Sequence, residues 1–229
     1  MDSGYQNHKE RPLPSLQDEL NIGVIGLGYV GLPLAFELGK IKNFNIIGFD
    51  LNESRISELN SGFDRTGTLE KEKLKEKTNK IVFTNEINEL ISCNVFIVCV
   101  PTPVDEYNVP NLTSLKSATS NIGNILNVKE TSKNKTNYAS IIIYESTVFP
   151  GVTEDICCNI LEKKTNSSLG EKFVLGYSPE RVNPGIASEQ ELTNITKITS
   201  GSDEKTRDWV NNFYSLIIKS GTFSASSIK

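Results

Sequence analysis

The sequence predicts an α/β fold, a doubly wound and mainly parallel sheet with helices on both faces, on three observations. Apolar, β-branched runs recur along the chain, helical patterns separate most of them, and a glycine-rich turn joins the first run to the first helix. Parallel strands need a crossover of a dozen or more residues, so alternation of strand and helix is the mark of such a sheet. The runs fall at 22–25, 45–49, 81–83, 95–100, 140–144, 173–175 and 195–199.

The first element ends in the most informative turn. Ile22 to Gly31 reads Ile-Gly-Val-Ile-Gly-Leu-Gly-Tyr-Val-Gly. Gly26 permits a tight turn out of the strand, Gly28 lets backbone approach a pyrophosphate, and Gly31 allows the next helix to pack close to the sheet. Val30, Leu34, Ala35, Leu38 and Ile41 give that helix its apolar stripe. Its N-terminus, with unpaired N–H groups and the positive end of the dipole, favours phosphate. The second run, Asn45-Ile-Ile-Gly-Phe-Asp, closes on Asp50, a carboxylate able to accept both hydroxyls of an adenosine ribose and to repel a 2′-phosphate. A bare Gly-x-Gly-x-x-Gly is weak. Strand before, helix after and acid at the end of the next strand make it a Rossmann-like site for NAD over NADP.

Composition bounds the rest. With 229 residues the chain can hold one large domain. Its net charge of −4, without any Lys/Arg cluster, gives no footprint for nucleic acid or an anionic membrane. Met1 to Gln17 is polar, contains Pro12 and Pro14, and has no apolar core, so it reads as neither signal peptide nor membrane anchor. Residues 1–20 are expected to form a flexible extension. Cys93, Cys99, Cys157 and Cys158 lack Cys-x-x-Cys spacing, and His8, the chain's only histidine, lies in that extension, so no metal site is expected. Structural thiols and a reducing, cytoplasmic compartment fit. Asn-x-Ser/Thr triplets at Asn52, Asn111, Asn134, Asn166 and Asn194 then follow from composition alone.

Of the remaining segments, Glu70 to Lys77 alternates charge signs and reads as a solvated helix face, and 127–137 as a surface loop. The last helix, 203–219, carries Trp209, Val210, Phe213, Leu216 and Ile217 at core-packing spacing. Beyond Gly221 there is no cap or stop signal, and the architecture is expected to continue past Lys229.

Ligands in doubly wound folds bind outside the carboxyl ends of the strands. Three loops there could carry chemistry. Val100-Pro-Thr-Pro offers the Thr102 hydroxyl on a proline-stiffened backbone, although alone it is ordinary loop punctuation. Glu145-Ser-Thr-Val-Phe-Pro-Gly places Ser146 and Thr147 at a strand end, where N-capping is the plain alternative. Tyr177-Ser-Pro-Glu-Arg-Val-Asn-Pro-Gly presents Glu180, Arg181 and Asn183 between prolines, where the plain alternative is a surface ion pair.

Taken in order, Gly-Leu-Gly-Tyr-Val-Gly-Leu-Pro, Gly-Phe-Asp-x-Asn-x-x-Arg, Val-Pro-Thr-Pro, Glu-Ser-Thr-Val-x-Pro-Gly-x-Thr-Glu and Tyr-Ser-Pro-Glu-Arg-Val-Asn-Pro-Gly resemble the UDP-glucose/GDP-mannose dehydrogenase family over residues 21–229. The last motif, with the Ser-Gly-Ser that precedes a Trp-Val helix, is most similar to the UDP-N-acetylhexosamine (GlcNAc or GalNAc) 6-dehydrogenases of bacterial capsule and O-antigen polysaccharide synthesis. The resemblance implies oxidation of the C6 alcohol of a UDP-sugar to a carboxylate in two hydride transfers to NAD, through a cysteine-bound thiohemiacetal and thioester. It implies NAD contacts at Tyr29, Val30, Asp50, Arg55, Thr102 and Thr147, and substrate contacts at Arg181 and Val182. Glu180 matches the carboxylate that activates water against the thioester, and Thr147 would help hold that water.

One departure matters. The family's nucleophilic cysteine and essential lysine belong downstream of the closing Ser-Ser-Ile-Lys, and Lys229 is not that lysine. Residues 21–225 are therefore expected to be the NAD-binding domain, with 226–229 the start of a helix leading to a second half, and the chain alone is expected to be inactive. The whole protein is expected to form a homodimer or higher homo-oligomer. The other reading is a stand-alone, non-catalytic module that senses NAD(H) or regulates a partner. A downstream cysteine segment separates the two.

Overall fold

The computed structural model describes residues 10–69, 72, 74, 81–180 and 189–229. Eight strands form one sheet in the order β3-β2-β1-β4-β5-β6-β7-β8. They are β1 (Leu20–Ile25), β2 (Phe44–Phe49), β3 (Ile81–Thr84), β4 (Val95–Val98), β5 (Ser140–Tyr144), β6 (Phe173–Tyr177), β7 (Lys197–Gly201) and β8 (Thr222–Ser224). From β3 to β6 every pairing is parallel, and only β7 meets β6 antiparallel. The chain leaves β1 in one direction through β2 and β3, then returns to β4 on the other side. That reversal opens a crevice at the carboxyl ends of β1 and β4.

Both faces are buried, with the period of two that a pleated strand dictates. Val95, Ile97, Ile141 and Ile143 point to one side, where they join α1 (Gly31–Gly39) and α6 (Glu204–Ser215) in a core that includes Leu34, Leu38, Trp209 and Phe213. Phe96, Val98, Ile142 and Tyr144 point to the other side, against α3 (Thr113–Thr131) and α4 (Asn159–Thr165). The helix α2 (Glu53–Asn60) is capped by Asn52, whose side chain accepts from Arg55 N, and α6 by Asp203, which accepts from Thr206 N. Glu189–Asn194 forms the short α5.

Several expectations shift. Residues 10–19 do not form a loose extension: Arg11 makes a two-pronged pair with Glu130 at 2.5 and 2.9 Å, Pro12 O accepts from Ala139 N, and Trp209 Nε1 donates to Pro14 O at 2.7 Å. Leu13 and Leu16 pack on the core. The polar stretch from 127 stays helical as far as Thr131, because Lys129 is buried and donates to Cys93 O. Residues 226–229 carry no helical turn, and Ile228 packs on the second core. The segments 1–9 and most of 70–77 lie outside the described residues. Among the described residues no helix is long and apolar enough to cross a membrane.

Candidate functional site

A cleft of about 660 Å³ opens at the carboxyl ends of the central strands. Each wall is a loop that leaves a strand: Gly26 to Val30 after β1, Asp50 after β2, Cys99 to Val104 after β4, Glu145 to Thr147 after β5, and Glu180 after β6. The crevice predicted from the order of strands and helices is thus where most of the predicted residues meet.

The three glycines have separable roles. Gly26 turns with φ +93°, and a side chain there would meet Cys99 O at 2.9 Å. A Cβ on Gly31 would stand 2.0 Å from Gly26 O, so only glycine lets α1 close on the turn. At Gly28 nothing lies within 4 Å of such a Cβ. The fold itself leaves the space at Gly28 open, and open backbone at such a turn is what the close approach of a pyrophosphate requires. Tyr29 and Val30 line the cleft beside it.

Asp50 faces the loop. Its Oδ2 accepts from Leu27 N at 2.9 Å and its Oδ1 from Asn52 N at 3.0 Å. Behind it lies a second recess of about 340 Å³, walled by Phe49, Leu51, Ile87, Pro101 and Ala118 with Thr113, Ser117 and Asn121. Asp50 and Gly26 border both spaces. A dinucleotide with its adenine in the recess would bring its ribose to Asp50 and its pyrophosphate to Gly28. This recess was not foreseen, because its walls come from five separate segments.

Arg55 sits differently from the expected cofactor contact. It is only 4% exposed and lines neither space. Its Nε donates to Leu27 O at 2.9 Å and its Nη2 pairs with Asp64 at 2.7 Å. Burial would raise the Asp64 carboxyl, but hydrogen bonds from Thr66, Arg55 and Leu69 N outweigh it and hold it at about 2. Arg55 therefore braces the glycine loop from behind.

At the other end of the cleft three loops are tied in series. The Thr102 hydroxyl donates to Thr147 O at 2.5 Å, and the Thr147 hydroxyl donates to Glu180 Oε1 at 2.6 Å. Ser146 is buried and donates to Val100 O at 2.7 Å, holding the same two loops together. Glu180 Oε2 is shielded from solvent and has no hydrogen-bond partner among the described residues. Arg181, Val182 and Asn183 lie outside the described residues.

Beneath these loops is a polar cluster that the sequence reading missed. Glu145, 1% exposed, accepts from Lys197 Nζ at 3.0 Å and from the Tyr214 hydroxyl. Lys197 Nζ lies over the Tyr214 ring and also donates to Pro179 O at 3.4 Å, one residue before Glu180. Burial pushes the Cys99 thiol well above its ordinary value, and the charge of Glu145 adds to the effect. Lys197 could have been noticed as the one charge inside the strand run 195–199; its partner could not.

The match to known proteins follows this geometry. Residues 20–218 fit the family model of the UDP-glucose/GDP-mannose dehydrogenase family, NAD binding domain. The chain belongs to that family. It is 46% identical over 211 residues to the UDP-N-acetyl-D-glucosamine 6-dehydrogenase of Pseudomonas aeruginosa, covering 92% of this chain and 47% of that protein. Protein CapL of Staphylococcus aureus is 41% identical over 209 residues, with 91% and 46% covered. The solved structure of a UDP-D-ManNAc dehydrogenase from Pyrococcus horikoshii superposes with a TM-score of 0.79 at 30% identity, over 91% of this chain and 47% of that one. The chain spans about half the length of the curated relatives it matches. The family domain supports the dehydrogenase reading and gives none to a free-standing sensor.

Two outcomes test the site. Gly28→Ala should leave the unfolding midpoint nearly unchanged while weakening NAD+ binding in calorimetric titration, whereas Gly31→Ala should destabilise the fold by about 1–3 kcal/mol, the range of overpacking. Equal effects would refute the division of roles. Lys197→Met should cost about 3–5 kcal/mol by stranding Glu145, and the pair Glu145→Gln with Lys197→Met should recover much of that loss in urea denaturation. Strict additivity would mean that the two side chains do not act together.

Proposed function

We propose that the protein is a nucleotide-sugar 6-dehydrogenase whose NAD-binding domain is this chain, and that it oxidises the C6 alcohol of a UDP-sugar, UDP-GlcNAc or UDP-GalNAc, to the uronic acid for capsule or O-antigen polysaccharide. The observation that carries this reading is the Thr147–Glu180 contact beside a cleft shaped for NAD. When bound there, NAD accepts the hydride in each of two oxidations, so one sugar and one water become a carboxylate at the expense of two NAD+.

The chain's own residues divide the work. Gly28 and the N-terminus of α1 receive the pyrophosphate, Asp50 the ribose, and Tyr29, Val30 and Thr102 the middle of the cofactor. Arg55 serves by bracing the loop. Thr147 orients Glu180 through Oε1, leaving Oε2 as the acceptor for a proton from the attacking water. Arg181 and Val182 follow directly and are proposed to meet the sugar nucleotide. The nucleophilic cysteine is proposed to lie in the part of the protein that the longer relatives have and this chain does not span. In support, burial raises the thiols of Cys93, Cys99, Cys157 and Cys158, and a thiol held protonated is a poor nucleophile. The protein is proposed to work in the cytoplasm as a homodimer or larger homo-oligomer.

The 229-residue chain should bind NAD+ yet release no NADH with UDP-GlcNAc or UDP-GalNAc; sustained turnover would place the nucleophile within it. In the full-length protein, Glu180→Gln should keep NAD+ binding, lower kcat by about 10²–10⁴ as loss of a general base does, and accumulate a covalent sugar adduct visible by intact-protein mass spectrometry. Normal kcat without an adduct would remove Glu180 from the chemistry.

A further inference from the structure

Asp50, on the wall of the cleft, belongs to a closed circuit of polar contacts. Asp50 Oδ1 accepts from Asn52 N, and Asn52 Oδ1 accepts from the Ser54 hydroxyl at 2.8 Å. Ser54 Oγ in turn accepts from Arg65 Nη2 at 2.7 Å. Arg65 is then gripped by Glu58 from two directions, Nε to Oε2 and Nη2 to Oε1, both at 2.6 Å. Glu58 Oε2 also stands 3.8 Å from Arg55 Nη1, which is buried and makes no hydrogen bond among the described residues. Arg55 Nε returns to Leu27 O, and Leu27 N to Asp50 Oδ2.

Two guanidinium groups therefore belong to the circuit that holds Asp50, and both are already engaged by carboxylates. Arg55 is tied to Asp64 and the loop, whereas Arg65 is 44% exposed at its side chain and is kept, among the described residues, by Glu58 and Ser54. The negative charge of Asp50 reaches Arg65 as well. Among the linked groups Asp50, Glu58 and Asp64 together outweigh the two arginines, so the circuit is net negative. Removing one of Asp50 and Glu58 leaves it neutral; removing both turns it positive and frees a planar, two-pronged donor suited to phosphate.

We propose that Glu58 is a second determinant of cofactor selectivity, keeping Arg65 from the 2′-phosphate that Asp50 repels. The inference rests on the reading of the cleft as an NAD site with its ribose at Asp50. It accounts for a basic side chain that lies beside an NAD-type carboxylate without adding affinity for NADP. It also says why Asp50→Ser alone should be a poor converter: with Glu58 in place, the phosphate gains a neutral surface and no cation. An exposed ion pair is worth little in itself, so the gate is a matter of competition and charge sign, and a change of a few fold is the scale to expect.

The test is calorimetric titration of NAD+ and NADP+ into the 229-residue chain and its variants Asp50→Ser, Glu58→Gln and the double variant, with thermal unfolding followed for each. The wild type should bind NAD+ and prefer it. NADP+ affinity of the double variant should exceed the product of the two single-variant changes by about threefold, and Arg65→Gln added to the double variant should abolish that excess. Glu58→Ala frees the same guanidinium and should give the same result in place of Glu58→Gln, which guards against a variant that fails to fold. Changes that simply multiply, or an excess that survives Arg65→Gln, would overturn the role of Glu58. A wild type that bound neither dinucleotide would instead overturn the NAD reading beneath it.

Discussion

Everything at the cleft depends on how closely α1 approaches the turn that leaves β1. With Gly31 and Gly26 in place, the backbone of the helix meets the backbone of the loop, and Gly28, Tyr29 and Val30, just before the helix, line the crevice. The turn is then fixed from both sides through one peptide: Asp50 takes Leu27 N and Arg55 takes Leu27 O. A loop held this way loses little freedom when a phosphate arrives, and preorganisation of this kind leaves more of the contact energy for binding. The glycines alone make the loop possible; the end of β2 and the start of α2 make it rigid.

A second constraint acts from below. Breaking the Glu145–Lys197 pair would leave a buried charge, but an intact buried pair contributes little net stability over apolar residues of similar size. What it adds here is connection. Lys197 belongs to the antiparallel strand β7 and Tyr214 to α6, neither of which lines the cleft, yet both converge on Glu145, the residue that begins the Ser146–Thr147 turn. Through Pro179 O the same lysine also reaches the loop that carries Glu180. The outer part of the sheet thereby fixes the spacing of the two loops whose side chains meet at Thr147 and Glu180.

What the sequence made legible was what local pattern encodes. The parallel strands announce themselves as apolar runs, the glycine turn by spacing, Asp50 by its place at a strand end, and the three loops by following strands. The omissions are tertiary. Lys197 reads as an oddity in a strand until Glu145, fifty-two positions away in sequence, is seen beside it. Arg55 carries the expected motif position, but Asp64 and Leu27 O claim its guanidinium, a fact that no spacing reveals. The polar residues 10–19 look loose because the groups that bind them, Glu130 and Trp209, come from distant helices. The strand Thr222–Ser224 is too short to leave a period at all.

The chemistry of Asp50 shows why a residue can be both structural and selective. Each of its oxygens already accepts one backbone N–H, from Leu27 on one side and Asn52 on the other, which fixes the plane of the carboxylate. An ionised carboxylate offers about four acceptor directions in all, so one remains on each oxygen. Two ribose hydroxyls bring a donor apiece and complete the set. A 2′-phosphate brings none and sets acceptor against acceptor, with like charges a few ångströms apart. The backbone contacts that hold the glycine loop in place thus also aim the two oxygens proposed to read the sugar, and on that proposal loop geometry and cofactor choice are properties of one side chain.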